Sequence, residues 1–298
     1  MPRRLPNKIL LTAAAVFLAG LVVHGVARIG HGDSPMRTGL ISDSLAYDRL
    51  AREIVENGVE SAGVYHQSPL FPLMLAELRR SDRSPGVPDS LLDVQAVLTS
   101  LAIALLVPLG FLGFGSQRAG LLAGLVGLLH GPFAYHSLKM LPISLALATQ
   151  AAALLFLILA TGEGKSRHRA FAGLLAGVLA GLAALARAEF LLFILAGAAY
   201  LGFRNRSLGT PATFLLGAGL LILPATLHNY NQGDIVLIAS AGGENLFIGN
   251  QRGADGGHTQ LSPAAPDLFS QRIEARAMAE TAAGKELRPS EISSYWTG

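Results

Sequence analysis

The stretch LLDVQAVLTSLAIALLVPLGFLGF, Leu91–Phe114, carries a single charged residue, Asp93, and is long enough to cross the hydrocarbon core of a bilayer, which takes roughly 17–25 residues. Its reading decides the fold class, because comparable runs recur at Ile9–Val26, Ala119–Tyr135, Met140–Ala160, Ala170–Ala186, Phe190–Phe203 and Pro211–Leu227. Seven spans are therefore expected, in an all-α polytopic membrane protein. The composition agrees: 51% of the residues are hydrophobic and 14% are charged, too apolar for a soluble chain of 298 residues. Glycine is abundant, with 34 residues, and sits largely inside the apolar runs, as expected where small residues let membrane helices approach closely.

The first run follows Arg3, Arg4 and Lys8. Its length favours an uncleaved anchor over a signal peptide, whose apolar region spans roughly 7–15 residues. The two runs flanking Arg187-Ala188-Glu189 read either as two spans or as one long, bent element. In a seven-span arrangement the basic N-terminus, Gln117-Arg118, Lys165-Ser166-Arg167-His168-Arg169 and Arg204-Asn205-Arg206 share one side, which the retention of short basic loops makes cytoplasmic. Residues 28–90, the turn around His130–Lys139 and the segment 228–298 then face the exterior. The expected organisation is a transmembrane domain over 1–227 that includes the large external loop 28–90, followed by an external segment over 228–298. Within that segment a strand-like run is expected over Ile235–Ala239 and a helix over Asp267–Ala283. The terminal Tyr295-Trp296 pair suits a chain about to re-enter a membrane interface, so further spans are expected beyond it.

Several function classes drop out. The absence of cysteine excludes disulfides, thiolate metal sites and cysteine nucleophiles. The net charge of +3 is small and the arginines are scattered between apolar runs, which sets nucleic acid aside. Gly242-Gly243 and Gly253-Ala254-Asp255-Gly256-Gly257 lack the spacing and the lysine of a phosphate loop and read as turns. His66, His136 and His228 form no short ligand motif, so no metal site is expected from them.

The external loop holds the polar chemistry. From Ser44 to Asn57, Tyr47, Leu50, Ala51, Ile54 and Val55 recur at helical spacing opposite Arg49, Arg52, Glu53 and Glu56, which predicts an amphipathic helix on the membrane surface with Gly58 as its stop. Asp43 falls at the start of this helix, where a carboxylate could simply cap it, and Asp48 follows one turn later. Lys139 reads either as an interfacial lysine or as an anion binder, and Arg187 with Glu189 either as a local pair or as a functional charge in apolar surroundings.

The order Asp43-Ser44-Leu45-Ala46-Tyr47-Asp48-x-Leu50-Ala51, then Tyr65-His66-Gln67-Ser68-Pro69-Leu70-Phe71-Pro72, resembles the first external loop of GT-C superfamily membrane glycosyltransferases, most closely the family 39, protein-mannosyltransferase-like branch. Gly181-Leu-Ala-Ala-Leu-Ala-Arg187-Ala188-Glu189 looks like that family's Gly-Leu-x-x-Leu-x-Arg-Pro-x stretch, with alanine in place of proline. His228-Asn229-Tyr230-x-x-Gly233-Asp234-x-Val236, Gly242-Gly243-Glu244-Asn245-Leu246-Phe247-Ile248-Gly249-Asn250 and Gly253-Ala254-Asp255-Gly256 continue the likeness. The resemblance implies a GT-C-like helical bundle in a bacterial inner membrane. It further implies transfer of a sugar from a polyprenyl-phosphate donor to a glycan, lipid or protein acceptor on the external face. Asp43 matches the catalytic carboxylate, with Asp48 as second candidate. Lys139 and Arg187 are candidates for the donor phosphate, and Tyr47, Tyr65, His66, Gln67, Glu244, Asn245 and Asn250 for the substrate pocket. Some relatives in the superfamily use a divalent cation, which leaves Mg²⁺ or Mn²⁺ open. The rival readings are a shortened, non-catalytic relative acting as a membrane partner, and a transporter or flippase, although no paired halves are visible.

Overall fold

The computed structural model describes residues 5–32, 34–162, 165–252, 254, 261 and 268–298. The helices, in chain order, are α1 (Asn7–His31), α2 (Pro35–Thr38), α3 (Ser42–Asn57), α4 (Leu70–Ser81), α5 (Asp89–Phe114), α6 (Gln117–Leu129), α7 (Gly131–Ser137), α8 (Ile143–Leu159), α9 (Ser166–Ala186), α10 (Leu191–Asn205), α11 (Gly209–Asn231), α12 (Gly242–Asn250), α13 (Leu268–Ala283) and α14 (Pro289–Tyr295). Short 3-10 turns lie at Val59–Ala62 and Ala188–Phe190, and among the described residues there is no strand. The protein is all-α, and five helices are long and apolar enough to cross a membrane: α1, α5, α9, α11 and the stretch Ala188–Asn205. The helices α6 and α8 are apolar but shorter.

The chain divides into two units, residues 1–39 with 82–222, and residues 40–81 with 223–298. In the first, the core is built by Ile9 and Val16 of α1, Ile103, Ala104, Val107 and Phe111 of α5, and Leu155 of α8. Its outer surface inverts the pattern of a soluble protein: Leu11, Leu18, Val22, Leu122, Val126, Leu192, Leu195 and Phe203 all point outward. Lipid tails are as apolar as leucine, so a membrane bundle gains little by hiding leucine and is held by close packing of small residues instead. The glycines supply that packing. Gly120, Gly124 and Gly127 put α6 against Val107, Leu106 and Ile103 of α5, and a Cβ on Gly120 would stand 2.6 Å from the Val107 carbonyl oxygen.

The break at Arg187 separates two helices that run in opposite directions. Gly173, Gly177 and Gly181 of α9 meet Thr210, Phe214 and Ala218 of α11 in register, so α9 and α11 are parallel. Helix α10 runs the other way, alongside α8, with Gly197 beside Leu157 and the Asn205 side-chain amide donating to the Ala160 carbonyl at 3.2 Å. The single bent element is therefore not formed. A second expectation changes at Ala119–Tyr135, which is two helices rather than one. His130 is extended and Pro132, fixed in φ and without an N–H, starts α7 anew, leaving α6 with 13 residues.

In the second unit α3 packs on α4. Tyr47, Ala51 and Ile54 are buried there with Phe71 and Leu75, and the Tyr47 and Phe71 rings meet edge to face at 5.0 Å. The apolar face expected to rest on the membrane surface is thus covered by protein. The run Ile235–Ala239 is an irregular segment with bends at Leu237 and Ile238 instead of a strand, since no strand among the described residues accepts its backbone groups. The side chain of Asn229, fully buried, takes that place, donating to the Val236 and Ile238 carbonyls at 3.0 and 3.2 Å. The helix expected over Asp267–Ala283 is present as α13 from Leu268 on; Asp267, Arg3, Arg4 and, except for Ala254, the Gly253–Gly257 turn lie outside the described residues.

Candidate active site

The local fold of the second unit brings distant sequence motifs together through a few buried polar side chains. Asn229 accepts the Tyr65 backbone N–H on its Oδ1 at 2.9 Å while its amide holds the 236–238 segment. Ser240 and Ala241 then donate their N–H groups to the carbonyls of Tyr65 and His66 at 3.0 and 3.1 Å. His228 stacks on the Tyr65 ring at 4.3 Å and bonds the Gly63 carbonyl through Nε2 at 2.9 Å. The His228-Asn229 pair is thus what fixes the Tyr65-His66-Gln67 turn. Asp234, also buried, accepts the backbone N–H and the hydroxyl of Ser290, both at 2.7 Å, and so anchors the start of α14. Gly243 has to be glycine for the next step: a Cβ there would stand 1.8 Å from the Ser293 carbonyl oxygen, where α12 crosses α14.

A cavity of about 280 Å³ opens between α3, the Tyr65–Gln67 turn and α13. Helix α3 contributes Ala46, Arg49, Leu50 and Glu53; Tyr65, His66 and Gln67 form a second wall, and Phe269 and Arg272 of α13 a third. A smaller cavity of about 40 Å³ adjoins it, sharing His66 and Arg272 and reaching Ser240, Glu244 and Ser293. Arg49 lies over the Phe269 ring, 5.3 Å from its centroid.

Electrostatics in this region follow burial. Glu244 is 4% exposed, and burial pushes its carboxyl up to about 7, with Arg272 pulling the other way. His66, whose Nε2 stands 3.8 Å from the Glu244 carboxylate, is pushed down to about 3, first by burial and then by Arg272, so its imidazole is neutral at ordinary pH. Burial and the neighbouring Glu60 raise the Tyr65 phenol to about 12.

The two candidate carboxylates differ sharply. Asp43 is exposed in the first turn of α3 and, among the described residues, accepts only the Ser42 hydroxyl at 3.4 Å. It does not cap the helix: Ile41 occupies that position, and Ser42 turns the chain with a left-handed φ of 49°. Asp43 precedes Ala46 by three residues and Leu50 by seven, so it continues the stripe of α3 that lines the cavity, one turn up from Ala46. Asp48 points the other way. It is 6% exposed, one oxygen bonded to Arg79 at 2.6 and 2.9 Å and the other to Arg52 at 2.9 Å, and Arg79 itself is 1% exposed.

Of the other candidate pocket residues, Tyr65, His66 and Gln67 line the larger cavity and Glu244 the smaller. Tyr47 is buried against Phe71, and Asn245 and Asn250 are exposed on other faces of α12, Asn250 bonding the Leu246 carbonyl. Arg49, Glu53, Phe269 and Arg272 were not expected there. The i, i+3, i+7 stripe of α3 was a signal for the first two; nothing local announces that α13 closes the third wall.

Lys139 and Arg187 belong to the first unit. The Lys139 ammonium sits over the Tyr135 ring at 4.9 Å, while Gln95 donates to its carbonyl at 2.7 Å. Arg187 is ion-paired with Glu189. His136 is held below its ordinary value by burial and then by the charges of Arg187 and Lys139. Among the described residues no three His, Cys, Asp or Glu side chains converge as a metal site, so no chemical step is routed through a cation here.

Residues 88–228 match the family model described as dolichyl-phosphate-mannose-protein mannosyltransferase. The matched segment contains Lys139 and Arg187 and ends at His228, while Asp43 precedes it. No curated protein and no solved structure matches the chain.

Proposed function

We infer, from a chain whose segment 88–228 belongs to the protein-mannosyltransferase-like branch of the GT-C membrane glycosyltransferases, that it moves a sugar from a polyprenyl-phosphate donor to an acceptor hydroxyl, with Asp43 as catalytic base. The observation that carries the role of Asp43 is its position: an exposed carboxylate, not tied to an arginine, at the head of the α3 stripe that lines a cavity of ring size. A carboxylate within reach of the acceptor takes the hydroxyl proton as that oxygen attacks the anomeric carbon. The bond from that carbon to the phosphate oxygen breaks, the electron pair leaves with the lipid phosphate, and the anomeric configuration inverts. The charge that develops on the phosphate calls for fixed cations. Lys139 and Arg187, whose charges both lower His136, are assigned that task. Asp48, held by Arg79 and Arg52, is assigned to fixing α3 on α4 and not to chemistry.

The reaction is placed on the external face of the membrane, because short basic loops mark the opposite side. The test is sugar transfer in membranes from labelled polyprenyl-phosphate monosaccharides, comparing the chain with Asp43→Asn at matched expression. Transfer should fall by roughly 10²–10⁴-fold, the usual contribution of such a base, with melting temperature unchanged. Retained transfer in the variant would remove Asp43 from the mechanism.

A further inference from the structure

Most arginines of the second unit are held in ion pairs, whereas Arg49, Arg272 and the exposed Arg252, which lies away from the cavity lining, are not, among the described residues. Arg52 and Arg79 hold Asp48, Arg80 holds Glu77, Arg276 holds Glu280 and Arg288 holds Glu291. Arg49 and Arg272, among the described residues, have no carboxylate within ion-pair distance, and both line the 280 Å³ cavity from opposite walls. Glu244, shifted toward its neutral form by burial, and the exposed Glu53 both favour the Arg272 charge without pairing with it, and the Arg49 guanidinium rests over the Phe269 ring. Two guanidiniums therefore face one space, neither of them in an ion pair among the described residues. The same space is flanked by the Phe269 and Tyr65 rings and by the polar ends of Gln67 and Ser61.

We propose that this cavity takes an anionic sugar ring, one carrying a carboxylate or a phosphate, with Arg49 and Arg272 gripping the anion. Guanidinium forks match both groups in bidentate geometry, and aromatic faces with a few polar groups suit a ring. The volume stands at the lower end for ligand pockets, roughly 300–1,000 Å³, and so suits a single ring rather than an extended chain. The assignment deepens the reading above. Because Asp43 heads the same stripe of α3, the anionic ring is the acceptor, and an acceptor hydroxyl near Asp43 is the one glycosylated. Arg49 and Arg272 are then specificity-determining residues.

The full chain in lipid nanodiscs is titrated calorimetrically with glucuronate, glucose 6-phosphate, glucose and inorganic phosphate. One or both charged sugars should bind at least about tenfold more tightly than glucose and than inorganic phosphate. Arg49→Gln and Arg272→Gln should each weaken that binding by about tenfold or more, and the lysine variants by less, since charge remains while the fork is lost. A preference for glucuronate identifies a carboxylate, and one for glucose 6-phosphate a phosphate. Equal binding of glucose, binding of inorganic phosphate as tight as that of the sugars, unchanged binding in both glutamine variants, or no binding of any probe would each overturn the proposal. Asp43→Asn should bind the charged sugar normally. Binding with this pattern but no transfer from any donor would overturn the enzymatic reading and leave the anion site in place.

Discussion

Asp43 and Asp48 share one helix and meet opposite environments, and the difference is set by which neighbours their face of α3 encounters. The face of Asp48 turns into the α3–α4 contact, where an unpaired carboxylate would be costly and where Arg79 and Arg52 compensate it. The face of Asp43 turns to the cavity stripe and to solvent. Glu244 is a third case, buried in α12 with its carboxyl raised to about 7. Between its ordinary value near 4.5 and about 7 the folded chain keeps a proton that the unfolded chain has released, so this group's contribution to stability is full below about 4.5 and is lost as pH rises through about 7. His66, lowered to about 3, works in the opposite sense: its contribution is present above about 6.5 and falls away as pH drops toward 3. Glu244→Gln removes only the first of these. Its melting temperature should match that of the parent at pH 4, exceed it increasingly between pH 5 and pH 7, and hold that excess above pH 7; a difference that does not change with pH would refute the assigned shift.

At the scale of the element, the glycines separate into those that carry a helix contact and those that do not. In α9, Gly177 lies so close to α11 that a Cβ would stand 1.9 Å from the Phe214 carbonyl oxygen, whereas Gly219 of α11 has nothing within 4 Å of its Cβ position. Gly177→Ala should therefore force α9 and α11 apart at a cost of roughly 1–3 kcal/mol, seen as lower folded yield and lower melting temperature in detergent, while Gly219→Ala should be neutral. Equal behaviour of the two variants would mean that this helix pair is not packed as described. The sequence showed glycine-rich apolar runs, but both glycines sit in runs of the same character, and only the facing helix tells them apart. The break at Arg187 was visible in the same limited way. A charged pair between two apolar runs marks a boundary; whether the chain bends or reverses there depends on what α10 packs against, namely α8 and α11.

For the whole molecule, the lack of native cysteine makes sidedness directly measurable. Ser84 and Ser207 are both exposed, one in the loop placed outside and the other beside Arg204-Asn205-Arg206. In intact cells an impermeant maleimide should label Ser84→Cys and leave Ser207→Cys unlabelled until the membrane is opened; the reverse pattern would invert the proposed topology. Membrane residence and an all-α architecture were legible from sequence because both follow from local quantities, the length and polarity of uninterrupted runs, which a bilayer reads segment by segment. The order of apolar runs, the amphipathic period of α3 and the succession of polar motifs were legible for the same reason. What only the tertiary structure decided was partnership across long separations. Asn229 reaches back to Tyr65, Arg79 neutralises Asp48, and Phe269 and Arg272 complete a wall begun by α3. Such contacts depend on which faces meet once the chain is packed, and a side chain's neighbours, unlike its own polarity, are not written at its position in the chain.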